Sequence, residues 1–296
     1  MHKSKIVDQF HLHFIVVIFA FTGILGKLIT VDALHLVTVR MFLASLGLYI
    51  LYLFKKNKGK GIKPAAFFKI AGIGVLVALH WFTFYHAIKI SNVSIALASF
   101  STTTLFTSLI EPLIEKRKVY WIEVVIGIII VFGLVLIFQF ETQFYMGILV
   151  GIVSAFLISL ATVLNRQMVQ HNDYTLMSVI ELGIGFLFLY LIFIFETGHP
   201  TAVFNLSKTD FMWLLVLAWV CTSYAFTAVM ELMQRISAYK VNLAISLEPV
   251  YGIILALLIF GESEKMSTGF YFGALIVFAA VFSYPFLMAR FGNDVS

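Results

Sequence analysis

Charged residues are scarce in this chain. Asp, Glu, Lys and Arg make up 12% of the 296 residues, and 61% of the residues are hydrophobic. Average soluble domains carry roughly 25% charged residues. A soluble core of this size cannot enclose so much apolar surface, so the surrounding solvent must be lipid. The net charge of +5 comes from cations in short loops between apolar runs, which argues against a nucleic-acid partner.

Cysteine and the common catalytic motifs are also missing or nearly so. The single cysteine, Cys221, excludes an internal disulfide framework and a multi-cysteine metal site. The chain contains no Gly-x-x-x-x-Gly-Lys-Ser/Thr phosphate loop, no Gly-x-Ser-x-Gly nucleophile motif and no His-Glu-x-x-His zinc motif. We therefore expect a protein that is not an enzyme, does not use ATP directly, and binds no metal or other cofactor.

Long apolar runs account for most of the sequence. A helix that spans a membrane needs about 20 mostly apolar residues, and the strict alternation typical of outer-membrane strands is absent. Ten runs meet this requirement, at residues 9–29, 34–54, 65–88, 93–114, 120–138, 145–167, 174–195, 210–233, 239–260 and 268–289. The sequence thus predicts an all-α membrane protein with ten transmembrane helices, numbered here as spans one to ten.

The cations are divided unevenly between the two sets of loops. One set contains the N-terminus, the loop at 55–63 and the loop at 116–118, and it carries most of the lysines and arginines. Loops rich in lysine and arginine stay in the cytoplasm. We therefore predict that both termini are cytoplasmic and that the protein is a multi-pass protein of the cytoplasmic (inner) membrane.

The two halves of the chain repeat each other. A Lys-Ile-Ser triplet at 89–91 corresponds to Arg-Ile-Ser at 235–237, an offset of 146 residues, and each is followed by an apolar run and a proline. Because five spans is an odd number, the second half must enter the membrane from the opposite side. The sequence therefore predicts two inverted five-helix repeats, residues 1–143 and 144–296, related by a two-fold axis in the membrane plane.

Several short motifs follow one another in order along the spans. They are Phe-Thr-Gly-Ile-Leu-Gly-Lys at 21–27, an arginine early in span two at Arg40, Ala-Ile-Lys-Ile-Ser at 87–91, and Leu-Glu-Pro-Val at 247–250 with Gly-Glu at 261–262. In this order they resemble the EamA-type permeases of the drug/metabolite transporter superfamily, over residues 14–286. The first half departs from the pattern, with Ile-Glu-Lys at 114–116. The resemblance implies a metabolite carrier, often an exporter of amino acids or related compounds.

Glu248 is the leading candidate for substrate binding. It lies about nine residues into span nine, or about 13 Å deep at 1.5 Å per residue, where ionisable groups are costly and usually functional. Pro249 removes a backbone donor and frees a carbonyl, so we expect it to act as a hinge. The alternative for Glu248 is a protonated carboxyl that only holds helices together.

An aromatic cluster on span three forms a second candidate. His80, Trp81 and Tyr85 lie within six residues, and Trp81 and Tyr85 share one helical face. Such a group suits an amphipathic or cationic ligand. The alternative is an aromatic belt at the membrane interface, which fits Tyr85 better than the other two.

The other predicted cavity residues are polar side chains inside the spans: Thr22, Ser99, Thr102, Thr103, Asn165, Asn242 and Ser246. Hydroxyl groups often bond to their own helix, so a structural role is the alternative for the serines and threonines. Arg40 and Glu181 are predicted to gate the cavity. Arg40 either pairs with a carboxylate across the cavity or extends its side chain to the interface.

The sequence therefore predicts a secondary transporter that moves a small metabolite, such as an amino acid, across the membrane by alternating access, with export favoured. A channel or a scaffold stays an alternative, and an intramembrane enzyme is disfavoured. The expected partners are a small-molecule substrate and the lipid bilayer, but no nucleic acid. Protons stay open as a coupling ion, and both a monomer and a weak homo-oligomer are compatible with the sequence.

Overall fold

The fold is seen in a computed structural model, which describes residues 2–55, 61–116, 118–245 and 247–291. Throughout this part of the chain the structure is helical and contains no strand, which confirms the predicted all-α class. The α-helices are α1 (His2–Leu28), α2 (Ala33–Phe54), α3 (Pro64–Ile90), α4 (Val93–Phe100), α5 (Thr103–Glu115), α6 (Trp121–Phe140), α7 (Tyr145–Met168), α8 (Tyr174–Thr197), α9 (Lys208–Ala218), α10 (Ala225–Leu232), α11 (Ala238–Ile245), α12 (Glu248–Phe260) and α13 (Thr268–Phe291).

Three of the ten predicted spans are composite. Span four consists of α4 and α5, span nine of α11 and α12, and span eight of α9 and α10 joined by a π-helix, Trp219–Tyr224. Among the described residues nine spans are long and apolar enough to cross a membrane, and the tenth is a shorter apolar helix, Thr268–Tyr284. The chain is therefore a multi-pass membrane protein.

Polar side chains cap the starts of four helices. The side chains of Asp32, Asn92, Asp173 and Ser207 each accept a hydrogen bond from a backbone N–H in the first turn of α2, α4, α8 and α9. These N–H groups have no partner within the helix, so a capping side chain stabilises each start.

Contacts between the connections define two faces of the bundle. On the first face, Thr30 bonds to Asp210 and Lys27 bonds to Glu264, which joins the connections after spans one, seven and nine. We call this the odd face. On the opposite face, Lys55 bonds to Asp173, which joins the connections after spans two and six. We call this the even face.

The packing of the spans follows a pattern of corresponding pairs. Span two packs on span seven, span four on span nine, and span five on span ten. Two further sets of contacts correspond: span three on span six alongside span one on span eight, and span four on span six alongside span one on span nine. An exchange of spans one to five with spans six to ten maps these contacts onto one another, as an in-plane two-fold axis would.

The closest of these contacts is between spans five and ten. A Cβ on Gly133 would lie 2.8 Å from the carbonyl oxygen of Gly273, and a Cβ on Gly273 would lie 2.5 Å from the carbonyl oxygen of Gly133. Only glycine permits this approach, and small residues at helix contacts are the usual way for helices to pack in lipid. These two spans thus form a packed flank beside the central helices.

Candidate functional site

A central cavity lies between the two halves of the chain. Its free volume, counted as the space in which the centre of a water molecule fits, is about 80 Å³. Sites for drug-sized ligands measure about 300–1,000 Å³, so this conformation has room for only a small ligand. The lining residues come from spans one to four, six, eight and nine: Phe19, Thr22, Arg40, His80, Trp81, Phe84, Phe100, Ile158, Thr162, Asn165, Phe226, Val229, Met233, Ile245 and Glu248.

Arg40 of α2 is the positive charge of this cavity. It is buried, with 2% of its surface exposed, and its guanidinium lies 3.8 Å from the centre of the Trp81 ring. Its Nη1 donates to the Tyr85 hydroxyl at 2.8 Å. A guanidinium combines stacking and directional hydrogen bonds in one rigid group. The side chain is therefore held in place inside the protein, and does not extend to the interface.

The π-helix of span eight supplies the other partner of Arg40. Arg40 Nε donates to the Thr222 hydroxyl at 2.7 Å, while that hydroxyl donates to the carbonyl of Leu217. Ser223 donates in the same way to Ala218, also five residues earlier. The wider turn of a π-helix changes the direction of the side chains that follow it, and such turns occur often at functional sites.

Glu248 supplies the acidic group of the cavity, and it begins α12. Its carboxyl group lies near the Thr22 hydroxyl and interacts electrostatically with Arg40. Span nine is interrupted just before it, because Leu247 lies outside the helices and α12 begins at Glu248. Pro249 thus occupies the first turn of α12, where a helix needs no backbone donor. The break precedes the proline and is not caused by a proline inside a continuous helix.

Aromatic rings line much of the cavity, and Trp81 among them lies against Arg40. The His80 ring stacks on Phe100 with a 5.5 Å separation between ring centres, and Phe84 meets Phe100 edge to face at 5.6 Å. His80 is fixed at its other side, where Nδ1 lies 2.8 Å from the Ser154 hydroxyl. Trp81 meets Phe226 edge to face at 5.8 Å. The cavity therefore combines a basic and an acidic group with an aromatic wall.

The cavity is closed toward the odd face. Glu264, which is fully buried, accepts hydrogen bonds from the backbone N–H groups of Val93 and Ser94 and from the Ser94 hydroxyl. It also forms an ion pair with Lys27 at 2.8 Å. The carboxylate thus joins the end of span nine to the first turn of α4, where the helix dipole favours a negative charge. We call this set of contacts the odd-face latch.

Toward the even face the cavity reaches farther along the helices. Its lining includes Asn165 near the end of α7 and Met233 just after α10. Beyond them, Arg235 donates two hydrogen bonds to the Asp8 carboxylate, each at 3.1 Å. These hydrogen bonds raise the pKa of Arg235 above its ordinary value. The even-face closure is therefore a more exposed contact than the odd-face latch, because Arg235 is 45% exposed.

The structure brings six of the predicted site residues to the cavity lining: Thr22, Arg40, His80, Trp81, Asn165 and Glu248. Tyr85 is adjacent to them as the partner of Arg40. Arg40, predicted as a gate, belongs to the cavity itself. Glu181 lies behind the lining, where it accepts a hydrogen bond from Asn165.

Other predicted residues lie away from the lining. The hydroxyls of Ser99, Thr102 and Thr103 donate to carbonyls three or four residues earlier in their own span, at 2.9, 2.8 and 2.5 Å. Asn242 donates to the Thr107 hydroxyl at 2.7 Å, between spans nine and four. Pro249 is buried outside the lining. Ser246 lies outside the described residues.

Sequence reasoning missed two kinds of residue at this site. The first is the apolar lining, such as Phe100 and Phe226, which nothing distinguishes among 31 phenylalanines. The second is Thr222, whose role depends on the π-helix. A further carboxylate, Glu111 in span four, was also overlooked, although it precedes Pro112 just as Glu248 precedes Pro249.

Comparisons with known proteins agree with this architecture. Two curated relatives from Helicobacter pylori, of strains J99 and 26695, are named uncharacterized transporters and are each 26% identical over 181 residues. The match covers 60% of this chain and 61% of each relative, so the chain spans about three fifths of their length. A solved crystal structure shares the fold, with a TM-score of 0.68, 14% identity, and coverage of 94% of this chain and 96% of the other.

The family comparison covers both halves of the chain. The model of the EamA-like transporter family matches residues 12–139 and again residues 145–284. The names of the relatives likewise describe a transporter, which is not an enzyme. The chain belongs to the EamA-like transporter family.

Proposed function

We propose that this protein is a secondary transporter for a small zwitterionic metabolite, an amino acid or a close relative of one. The observation that carries the proposal is the pair of opposite charges in one cavity, Arg40 and Glu248, contributed by different halves of the chain. A carboxylate of the substrate would pair with the guanidinium, and its ammonium group would pair with the Glu248 carboxylate.

The aromatic wall supports a further restriction on the substrate. Trp81, Phe84 and Phe100 offer rings to whatever lies between the two charges. Transfer of an apolar or aromatic side chain from water to such a wall is favourable, and transfer of a charged side chain is unfavourable. We therefore expect amino acids with apolar side chains to be preferred to acidic or basic ones.

The mechanism proposed is alternating access between two inverted repeats, residues 1–143 and 144–296. Two features support it: the packing of the spans in corresponding pairs, and a family match that begins anew in the second half. Rocking of the repeats would open the odd-face latch and close the even face, then reverse. The surplus of lysine and arginine on the even face supports a cytoplasmic even face in the inner membrane. Export is the direction that the resemblance to EamA-type permeases implies.

Counterflow in proteoliposomes tests the proposal. Vesicles that contain the purified protein are loaded with one unlabelled compound from a panel of apolar, acidic and basic amino acids, purines and sugars. Entry of the same compound in labelled form is then followed. We expect transient accumulation of apolar amino acids, because the internal compound drives exchange through a carrier.

Two controls give the assay its meaning. Empty vesicles report leakage, and vesicles with Arg40→Ala report flux that does not need the charged cavity. Labelled flux that ignores the internal compound would indicate a channel and would contradict the proposal. Accumulation of a purine or sugar, with no amino acid transported, would retain the carrier and reject the substrate class.

A further inference from the structure

Behind the cavity lining, a buried carboxyl and a buried amide form an incomplete pair. Glu181 of α8 is fully buried, and Asn165 of α7 is 2% exposed. Asn165 Nδ2 donates to Glu181 Oε2 at 3.0 Å. The other two oxygens, Glu181 Oε1 and Asn165 Oδ1, are buried and accept no hydrogen bond from the described residues.

Neither of these two oxygens has a hydrogen-bond donor among the residues that the structure describes. A carboxylate has only acceptor atoms, and the amide has already committed an N–H to Oε2. One proton on Oε1 would change that atom from an acceptor to a donor. The acid and the amide could then form two antiparallel hydrogen bonds, N–H to Oε2 and O–H to Oδ1, and both buried oxygens would be satisfied.

Within the part of the chain that the structure describes, no cationic side chain lies close enough to Glu181 to neutralise its carboxylate. Helices α2, α3 and α10 pack against α8, and among the described contacts Asn165 of α7 is the polar side chain that reaches Glu181. The charged residues at the start of α8 are engaged elsewhere, since Lys55 pairs with Asp173 and Glu231 contacts Tyr174. A buried carboxylate without a counter-charge is costly in lipid, so the neutral acid is the form that this site suits.

Close helix packing fixes the position of the carboxyl. A Cβ on Gly74 of α3 would lie 2.5 Å from the Glu181 carbonyl oxygen, so α3 and α8 meet backbone to backbone at this level. Asn165, in contrast, belongs to the cavity lining. The amide therefore stands between the carboxyl and the space that the substrate would occupy.

We infer that Glu181 and Asn165 form a proton-binding site and that the carrier exchanges protons for its substrate; this rests on the proposed transport function. The exchange follows from a competition for one atom. When Glu181 holds the proton, Asn165 Oδ1 accepts from it; when the proton has left, the same oxygen can accept from an ammonium group in the cavity. The proton comes from water on one face of the membrane and returns to water on the other.

Infrared difference spectra of the purified protein in lipid, recorded between buffers of about pH 6 and about pH 10, where exposed carboxyl groups stay ionised, test the proton site without any substrate. A protonated carboxyl shows a C=O stretching band that a carboxylate lacks. We expect Glu181→Gln to remove one component of this band and Asn165→Ala to move that component to higher frequency, because its hydrogen bond is lost. Glu196→Gln, an exposed position on the same helix, is the matched control and should leave the band unchanged.

Two results would overturn the proton site. The first is a Glu181→Gln spectrum that superimposes on that of the unchanged protein, with Glu248→Gln accounting for the whole band. The second is loss of the Glu181 component when sodium chloride is added at constant pH, which would identify a sodium site. Glutamine offers an N–H where the acid offers an O–H, so Glu181→Gln retains both hydrogen bonds to Asn165 and should fold.

A transport measurement tests the coupling separately. With an amino acid that counterflow identifies, we expect a pH gradient to drive accumulation in vesicles of the unchanged protein. Vesicles of Glu181→Gln should still exchange the amino acid but should not accumulate it. Equal accumulation by both proteins would contradict the coupling. Absence of counterflow would reject the transport function, and the infrared result would stand on its own.

Discussion

Spans four and nine, which correspond to each other in the two halves, contain the same Glu-Pro dipeptide at different positions along the span, and they use it differently. Glu111-Pro112 lies near the end of α5, where Glu111 is the ninth residue of that helix. Glu248-Pro249 opens α12, directly after the break in span nine. Both spans are broken near their middle, yet only the second has its carboxylate at the break.

The two carboxylates consequently have different surroundings. Glu111 accepts a hydrogen bond from the backbone N–H of Tyr239 at 3.3 Å, in the first turn of α11. Glu248 faces the cavity, Thr22 and Arg40. A carboxylate at a helix start is favoured by the helix dipole, so Glu111 stabilises the contact between spans four and nine. The same Glu-Pro motif therefore has different roles in the two spans, and its distance from the helix break determines which role its carboxyl group has.

The hydroxyl groups of the two spans differ in the same way. In span four, Ser99, Thr102 and Thr103 bond to their own helix. Ser99 also packs against Gly151 of α7, where a Cβ would approach to 2.6 Å. These hydroxyl groups thus belong to a packed helix interface, whereas span nine contributes Glu248 to the cavity.

The largest expected effect comes from removing the guanidinium of Arg40. Arg40→Ala should abolish transport and should lower the free energy of unfolding by about 1.5–3 kcal/mol for each of the two hydrogen bonds lost, those to Thr222 and Tyr85. Thermal unfolding in detergent and counterflow measure the two effects. Arg40→Lys should be intermediate, since an ammonium group retains the charge but not the fork that bonds to both Thr222 and Tyr85.

Arg40→Ala has a matched control on another central helix. Lys69→Ala removes an exposed cation from the start of α3 and should change neither quantity. An Arg40→Ala protein as stable and active as the unchanged one would show that the charged pair does not distinguish span nine from span four.

The odd-face latch gives the next largest effect. Glu264→Gln removes the charge that holds Lys27 and the start of α4, and hydrogen bonds to charged groups contribute roughly 1.5–3 kcal/mol. We expect the odd face to open more often. A cysteine at Phe19 in the cavity, introduced into a Cys221→Ala background, should then react about 10- to 100-fold faster with an impermeant maleimide.

The control for the latch is its neighbour in the same turn. Glu262 is 86% exposed and pairs only at the surface with Lys265, so Glu262→Gln should not change the labelling rate. Equal acceleration by both variants would assign the effect to the surface charge of the odd face. The latch would then have no role in closing the cavity.

The smallest effect is expected from the hydroxyls of span four. Ser99→Ala, Thr102→Val and Thr103→Val should each change stability by less than about 1 kcal/mol, because the lost bonds are local. The KM for transport should stay within about twofold. Thr22→Val makes the same chemical change beside Glu248 and should raise the KM more. A larger change in KM from a span-four variant would place that hydroxyl in the substrate path.

The fold was largely predictable because lipid leaves few alternatives. Backbone groups in a bilayer must bond within a helix, so ten apolar runs indicate ten helices. The breaks within the spans were harder to predict from the sequence. Pro249 predicted a hinge, but Leu247, two residues earlier, already lies outside the helices. The π-helix at Trp219–Tyr224 depends on contacts with α2, which no local pattern encodes.

The site was predictable where a side chain is costly in lipid. Arg40 and Glu248 stand out for that reason, and both face the cavity. Hydroxyl groups carry no such signal, because a serine can satisfy itself on its own helix or bind a ligand with equal ease. The number of hydroxyls in span four therefore indicated a pore wall where the structure has a packed contact with α7.

The most direct test of the account compares two identical substitutions, Glu248→Gln and Glu111→Gln, in the counterflow assay. Each replaces a buried carboxyl before a proline, and each leaves an amide oxygen that can still accept a hydrogen bond. We expect Glu248→Gln to lower the transport rate about 10- to 100-fold, because a charged hydrogen bond to the substrate is lost, while Glu111→Gln should transport at nearly the rate of the unchanged protein. Equal losses, or a greater loss for Glu111→Gln, would contradict the assignment of the substrate site to the break in span nine.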